Sequence, residues 1–204
     1  MCMSNIIAFM KKDIRFNFKW LLVCIVSSIA IPVYLVNGEL KLFTGSSMIF
    51  SISSLTSVMF CISRACYIED NDETKTLLKS IPMSGSQQIG AKFLLTIMLI
   101  VVSNSLSYIC LIICGYENLA DAYFISLSLT LLYFAIFLFT FFIFGYQIAQ
   151  YTFIICILVV VILKRIGFEN LNMSVDYWII FIMTTIIYCS TYIITTKVSE
   201  KIRR

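Results

Sequence analysis

Six apolar runs punctuate the chain, each bounded by polar or charged residues: Trp20 to Val36, Ser46 to Ser63, Phe93 to Cys114, Tyr123 to Phe144, Tyr151 to Leu163 and Tyr177 to Thr195. An α-helix rises about 1.5 Å per residue, so about 20 apolar residues cross a hydrocarbon core of about 30 Å, with about 17 as the lower end. Helices satisfy their own backbone hydrogen bonds in lipid. The pattern therefore predicts an all-α, polytopic membrane protein with six transmembrane helices, one domain over residues 1–204. Pro32 falls near the outer end of the first run, where a kink is tolerated. The fifth run is the shortest, and the polar stretch 164–176 after it reads as a re-entrant extracellular segment.

Residues 1–19 carry Ile7, Met10 and Ile14 at helical spacing, with Ile6 beside them and Lys11, Lys12 and Arg15 on other faces. This predicts an amphipathic helix lying on the inner membrane surface; the plainer alternative is a basic flank that only sets topology. Basic residues also assign the sides, because cytoplasmic loops are enriched in lysine and arginine. With the N-terminus inside, every lysine and arginine except Lys41, Lys164 and Arg165 falls on the cytoplasmic side. Both termini are thus expected in the cytoplasm, with Lys164 and Arg165 as a local conflict.

Composition agrees. Hydrophobic residues make up 60% of the chain and charged ones 13%, against about 45–50% and about 25% in soluble domains. The net charge of +4 is scattered in short groups at the ends of apolar runs, which argues against nucleic acid as a partner. There is no histidine, which removes imidazole bases and most metal sites. The eight cysteines show no metal or redox spacing and read as reduced, small apolar residues. No small-residue cleavage site follows the first run, so no removed signal peptide is expected. No metal, no catalytic residue and no enzymatic role are expected of this chain.

None of the six runs has Asp, Glu, Lys or Arg in its interior, which argues against a proton-coupled or sodium-coupled carrier and points to a partner as the energy source. The second run is rich in hydroxyls, and the third carries Ser103, Asn104, Ser105 and Ser107. These side chains either hydrogen-bond between helices or line a translocation path, for which Ser103, Asn104 and Ser107 are the candidates. Phe134 and Phe137 of the aromatic fourth run are candidates for the same path, against the plainer reading of packing.

The longest hydrophilic stretch is Arg64 to Lys92. Gly85 and Gly90 have the spacing of a phosphate-binding loop, but Ala91 stands at the lysine position and Lys92 at the hydroxyl position, so that motif is excluded. The acids Glu69, Asp70, Asp72 and Glu73 precede a helical pattern in which Leu77, Leu78 and Ile81 form an apolar face and Pro82 ends the helix. Ser84 and Gln87 have the form of a capping box opening the third span. A helix of about two turns is too short to be stable alone, so its face must be buried. It is buried either on the protein's own helix ends and the lipid surface or in a groove of a soluble partner.

The order of a second span, an acidic stretch, Thr76-Leu-Leu-Lys-Ser-Ile-Pro82-Met-Ser, then Ile89-Gly-Ala-Lys92-Phe-Leu entering the third span resembles small permease subunits of type 2 ATP-binding-cassette (ABC) exporters. The six-span plan, the basic N-terminal helix and the segment between the last two spans fit the same resemblance. It covers essentially the whole chain and is strongest over 69–94; it departs at Gly85, where many relatives carry arginine. The resemblance implies that Glu69 to Pro82 form a coupling helix seated in a separate ABC ATPase dimer, with the N-terminal helix as a second contact. It implies a second permease subunit, identical or related, and ATP and Mg bound by the ATPase. The expected protein is a bacterial cytoplasmic membrane exporter of an amphipathic or hydrophobic peptide, of the phenol-soluble-modulin or lantibiotic and bacteriocin kind. The alternative from another class is a membrane immunity or scaffold protein.

Overall fold

Gly145 separates two long helices without a loop, and its backbone shows how: at φ +88° and ψ 176° it occupies a region open essentially to glycine alone. The computed structural model describes residues 3–37, 46–71, 74, 84–117, 119–165 and 176–202. They form the helices α1 (Met3–Phe16), α2 (Phe18–Asn37), α3 (Ser46–Asp70), α4 (Gly85–Ile113), α5 (Ala120–Phe144), α6 (Tyr146–Arg165) and α7 (Tyr177–Ile202), with no strand among the described residues.

By length and composition, α2, α3, α4, α5 and α7 can each cross a membrane. The expected fifth run corresponds to α6, which starts at Tyr146 and ends at Arg165. Its limits differ because Gln147 and Gln150 interrupt the apolar run yet sit exposed on a regular first turn, while Ala149 between them is buried. Lys164 and Arg165 are its last two residues. Residues 166–175 of the expected re-entrant segment lie outside the described residues, as do Asp72, Glu73, Leu77, Leu78, Ile81 and Pro82 of the expected coupling helix.

Helix α4 begins at Gly85, well before the apolar run that starts at Phe93. The backbone N–H of Ser84 donates to Gln87 Oε1 at 3.3 Å, the reciprocal bond of the expected capping box. Gly85 and Gly90 are therefore helical and shape no phosphate loop. At the far end, Gly115 takes φ +86°, and the N–H of Tyr116 reaches back to the carbonyl of Leu111 at 3.1 Å, a Schellman ending.

Helix α5 occupies the centre, packed against α3, α4, α6 and α7, while α2 lies on α3 and α4. Of the most apolar stretch of each helix, 56% is buried in α3 and α5, but only 17% in α2 and 11% in α7. The two peripheral helices thus leave most of their apolar surface on the outside of the bundle. Phe134 and Phe137 are fully buried in α5, beside Phe141 and Leu138.

Candidate functional site

The site develops from one face of α1. Ile6, Phe9, Met10, Asp13 and Asn17 recur at helical spacing, and all five are buried, whereas Ile7 is 46% and Ile14 37% exposed. Of the apolar stripe expected along Ile7, Met10 and Ile14, Met10 faces inward and Ile7 and Ile14 face out of the bundle. A carboxylate, Asp13, sits on the inward face because it has a partner there.

That partner is Lys92, the charged residue expected just ahead of the third span. It lies inside α4 and is completely buried. Its ammonium donates to Asp13 Oδ2 at 2.9 Å and stands 3.1 Å from Glu69 Oε1. Lys12 completes the cluster, 3.4 Å from Asp13 Oδ1 and 3.5 Å from Glu69 Oε1, with its ammonium over the Phe9 ring at 3.7 Å from the centroid. A lone buried ammonium loses several kcal/mol of hydration, on the order of what removing either partner of a buried pair costs. Two carboxylates and two ammonium groups balance the charge here.

Glu69 and Asp70 stand ahead of the loop's expected helical pattern. They occupy the last turn of α3. Carboxylates are disfavoured at that end by the helix dipole, and each is compensated from another element. Glu69 meets Lys92 and Lys12, and Asp70 Oδ2 accepts the N–H of Tyr146 at 3.0 Å, the first residue of α6. Asp70 so caps α6 at the positive end of its dipole. Tyr146 is braced again by its hydroxyl, 2.7 Å from Ser63 Oγ, and by an edge contact with Tyr67 at 5.5 Å. Lys11 and Arg15 stay on the exposed side of α1.

The consequence is mechanical. Helix α3 ends at Asp70 and α4 begins at Gly85, and both of these helix ends are pinned. Lys92 joins α1, α3 and α4, and Asp70 joins α3 to α6.

A family model described as ABC-2 family transporter protein matches residues 8–203. The chain belongs to that family. Comparison with curated proteins and with solved structures gave no match. As an ABC-2 permease it is an integral membrane component of a transporter whose partner is an ABC ATPase.

Within the permease, the hydroxyl-rich positions of α2 to α5 form a second polar assembly. Ser28 Oγ lies 2.7 Å from Ser103 Oγ, Ser107 Oγ donates to the Ser28 carbonyl at 2.9 Å, and Ser53 Oγ lies 2.9 Å from Ser107 Oγ. Asn104 donates to Ser54 Oγ at 2.8 Å and accepts from Ser126 Oγ at 2.8 Å. Ser103, Asn104 and Ser107 are all buried within the single chain. These bonds brace α2, α3, α4 and α5 against one another where no water competes. Cys24, Cys61, Cys66, Cys110, Cys114 and Cys189 are free thiols.

Asp13 was not singled out by the sequence reading, although it is the one acid within the otherwise basic stretch from Lys11 to Lys19. That isolation, at helical spacing from Phe9 and Met10, is the signal that marks it.

Proposed function

We propose that this ABC-2 permease is the transmembrane subunit of an ATP-driven exporter, working with a separate ATPase dimer that binds ATP and Mg. The observation that carries the reading is the pinned connection between α3 and α4. A rigid tie on each side of a loop is what transmission of a force applied to that loop needs. Lys92, Asp13 and Glu69 supply one tie and Asp70 the other. In this reading Glu69 to Pro82 carry the coupling helix, with Leu77, Leu78 and Ile81 as its apolar anchors. ATP closure of the partner pushes on it, and the tie carries the displacement into α3, α4 and α1.

The same reading takes α6 as the fifth of six spans, since 20 residues reach about 30 Å at about 1.5 Å each. Both termini then face the cytoplasm of a bacterial cell, α1 rests at the membrane surface through Ile7, Ile14, Lys11 and Arg15, and two permease subunits, identical or related, flank the path. The cargo is amphipathic or hydrophobic, a peptide of the bacteriocin, lantibiotic or phenol-soluble-modulin kind, because the spans offer no charged wall.

Co-purification of the tagged chain with its ATPase tests the coupling assignment. Leu77→Asp with Leu78→Asp is expected to abolish association while the chain still inserts. Association that survives the double change sinks the coupling-helix assignment, and unaltered peptide secretion in a strain lacking the chain sinks the exporter role.

A further inference from the structure

Helices α2, α3 and α6 line a groove of about 770 Å³ on the outside of the bundle, at the Tyr146 end of α6. Its walls are mostly apolar or aromatic, with Trp20 from α2, Met59 and Phe60 from α3 and Tyr146 from α6, and Thr56, Ser63 and Gln150 are its uncharged polar positions. Arg64 is the charged side chain among the described residues that line it. The Arg64 guanidinium stands 5.1 Å from the Tyr67 ring centroid and 6.0 Å from that of Trp20. Among the described residues no carboxylate lies within ion-pair distance of it. Glu69 is held by Lys92 and Lys12, and Asp70 by the first N–H of α6.

The groove is graded along its length. Phe60 and Thr56 lie one and two turns before Arg64 on α3, about 6 and about 12 Å along the axis. Gln150 is one turn beyond Tyr146 on α6, about 6 Å further from the pinned end. Cation and aromatic rings at one end, an amide at the next level and an apolar trough beyond match an anionic head, an ester linkage and an acyl chain in that order. Trp and Tyr favour the same head-group level.

We propose that this groove is a binding site for one acidic glycerophospholipid, its phosphate on Arg64 and one acyl chain along Phe60 and Thr56. Charge complementarity decides the occupant. A second copy of the chain seated on this groove by twofold symmetry would bring the two Arg64 groups toward each other, with no described acid in the lining to part them. The site does not depend on the ATPase, and it lies on the outer surface, away from the buried serine and asparagine assembly.

The test uses the full chain purified in an uncharged detergent, with bound lipid counted by native mass spectrometry and stability followed by thermal unfolding. Phosphatidylglycerol is expected to bind at about one per chain and to raise the unfolding temperature. Phosphatidylcholine and inorganic phosphate are expected to do neither. Arg64→Gln is expected to weaken phosphatidylglycerol about tenfold, the loss of one charge-assisted hydrogen bond, and Arg64→Lys to retain much of it. Lys19→Gln, an exposed cation outside the groove, is expected to change nothing. Equal losses in the Arg64→Gln and Lys19→Gln variants would reduce the effect to general attraction and overturn the site. Equal stabilisation by phosphatidylcholine, displacement by inorganic phosphate, or a loss of dimer in place of lipid on Arg64→Gln would each overturn it as well.

Discussion

Lys92 and Asp13 stand 79 positions apart in the chain and 2.9 Å apart in space, both buried. The bond ties a helix ahead of the first span to the entry of the third. Its strength lies in what breaking it leaves behind. Lys92→Met strands the Asp13 and Glu69 carboxylates with Lys12 alone, which is only partly buried. Truncating one partner of such a buried group costs about 3–5 kcal/mol. The variant is expected to unfold at correspondingly lower denaturant in detergent. Adding Asp13→Asn and Glu69→Gln to Lys92→Met is expected to recover much of the loss, because the stranded charges are then gone. A triple variant as weak as the single one would mean that packing, not charge, holds α1.

Asn104→Leu removes the link from α4 to Ser54 of α3 and Ser126 of α5 at one stroke. Interhelical hydrogen bonds inside membranes average about 0.6 kcal/mol and reach about 1.7, so the variant is expected to lose about 1–2 kcal/mol. Ser128→Ala, whose hydroxyl donates to the Phe124 carbonyl of its own helix, is expected to stay within about 0.5 kcal/mol of the parent. Equal losses in the two variants, measured by the same unfolding titration, would show that Asn104 braces nothing.

Gly145→Ala tests the direct junction of α5 and α6. A Cβ there would meet the Asp70 carboxylate oxygens at 3.5 and 3.6 Å, ordinary contact, so space is not the obstacle. The backbone is: φ +88° with ψ 176° costs a side-chain-bearing residue about 1–3 kcal/mol. That loss is expected in thermal unfolding, together with a weaker Asp70 cap, since relaxing the backbone moves the Tyr146 N–H. Unchanged stability would place the junction's determinant elsewhere.

Much of the helical plan is legible in the sequence, because lipid as solvent demands long apolar runs and leaves little choice of element. What is not legible lies where a helix outruns its apolar run. Residues 85–92 lie outside the apolar run because Ser86, Gln87, Gln88 and Lys92 are polar, and the Ser84–Gln87 capping box is the sequence signal that the helix has already begun; α4 contains them all, since length beyond about 30 Å is free to project past the hydrocarbon. For the same reason α3 runs on through Glu69 and Asp70, past the apolar run that ends at Ser63. Lys92 looks like a head-group contact by hydropathy. Only a three-dimensional pairing with Asp13 and Glu69 makes its burial tolerable, and hydropathy carries no record of pairing. The inward face of α1 is hidden for the same reason: counting apolar positions passes over Asp13, which lies on it.

Cys66 reports on that pairing from within. It is completely buried in α3, close in sequence to Glu69, and belongs to the same core as Ile6, Phe9 and Met10 of α1. A maleimide therefore reaches it only when the packing around it opens, so its labelling rate follows the population of the open form. A loss of about 3 kcal/mol in the tie raises that population about a hundredfold, at about 1.4 kcal/mol per tenfold. Lys92→Met is expected to accelerate Cys66 labelling by about that factor, while Cys114, exposed at the other end of α4, labels at the parent rate in both. The control separates local opening from general loosening. If both thiols quicken together the whole bundle has relaxed, and if neither does, α1 is held by Ile6, Phe9 and Met10 without help from the charges.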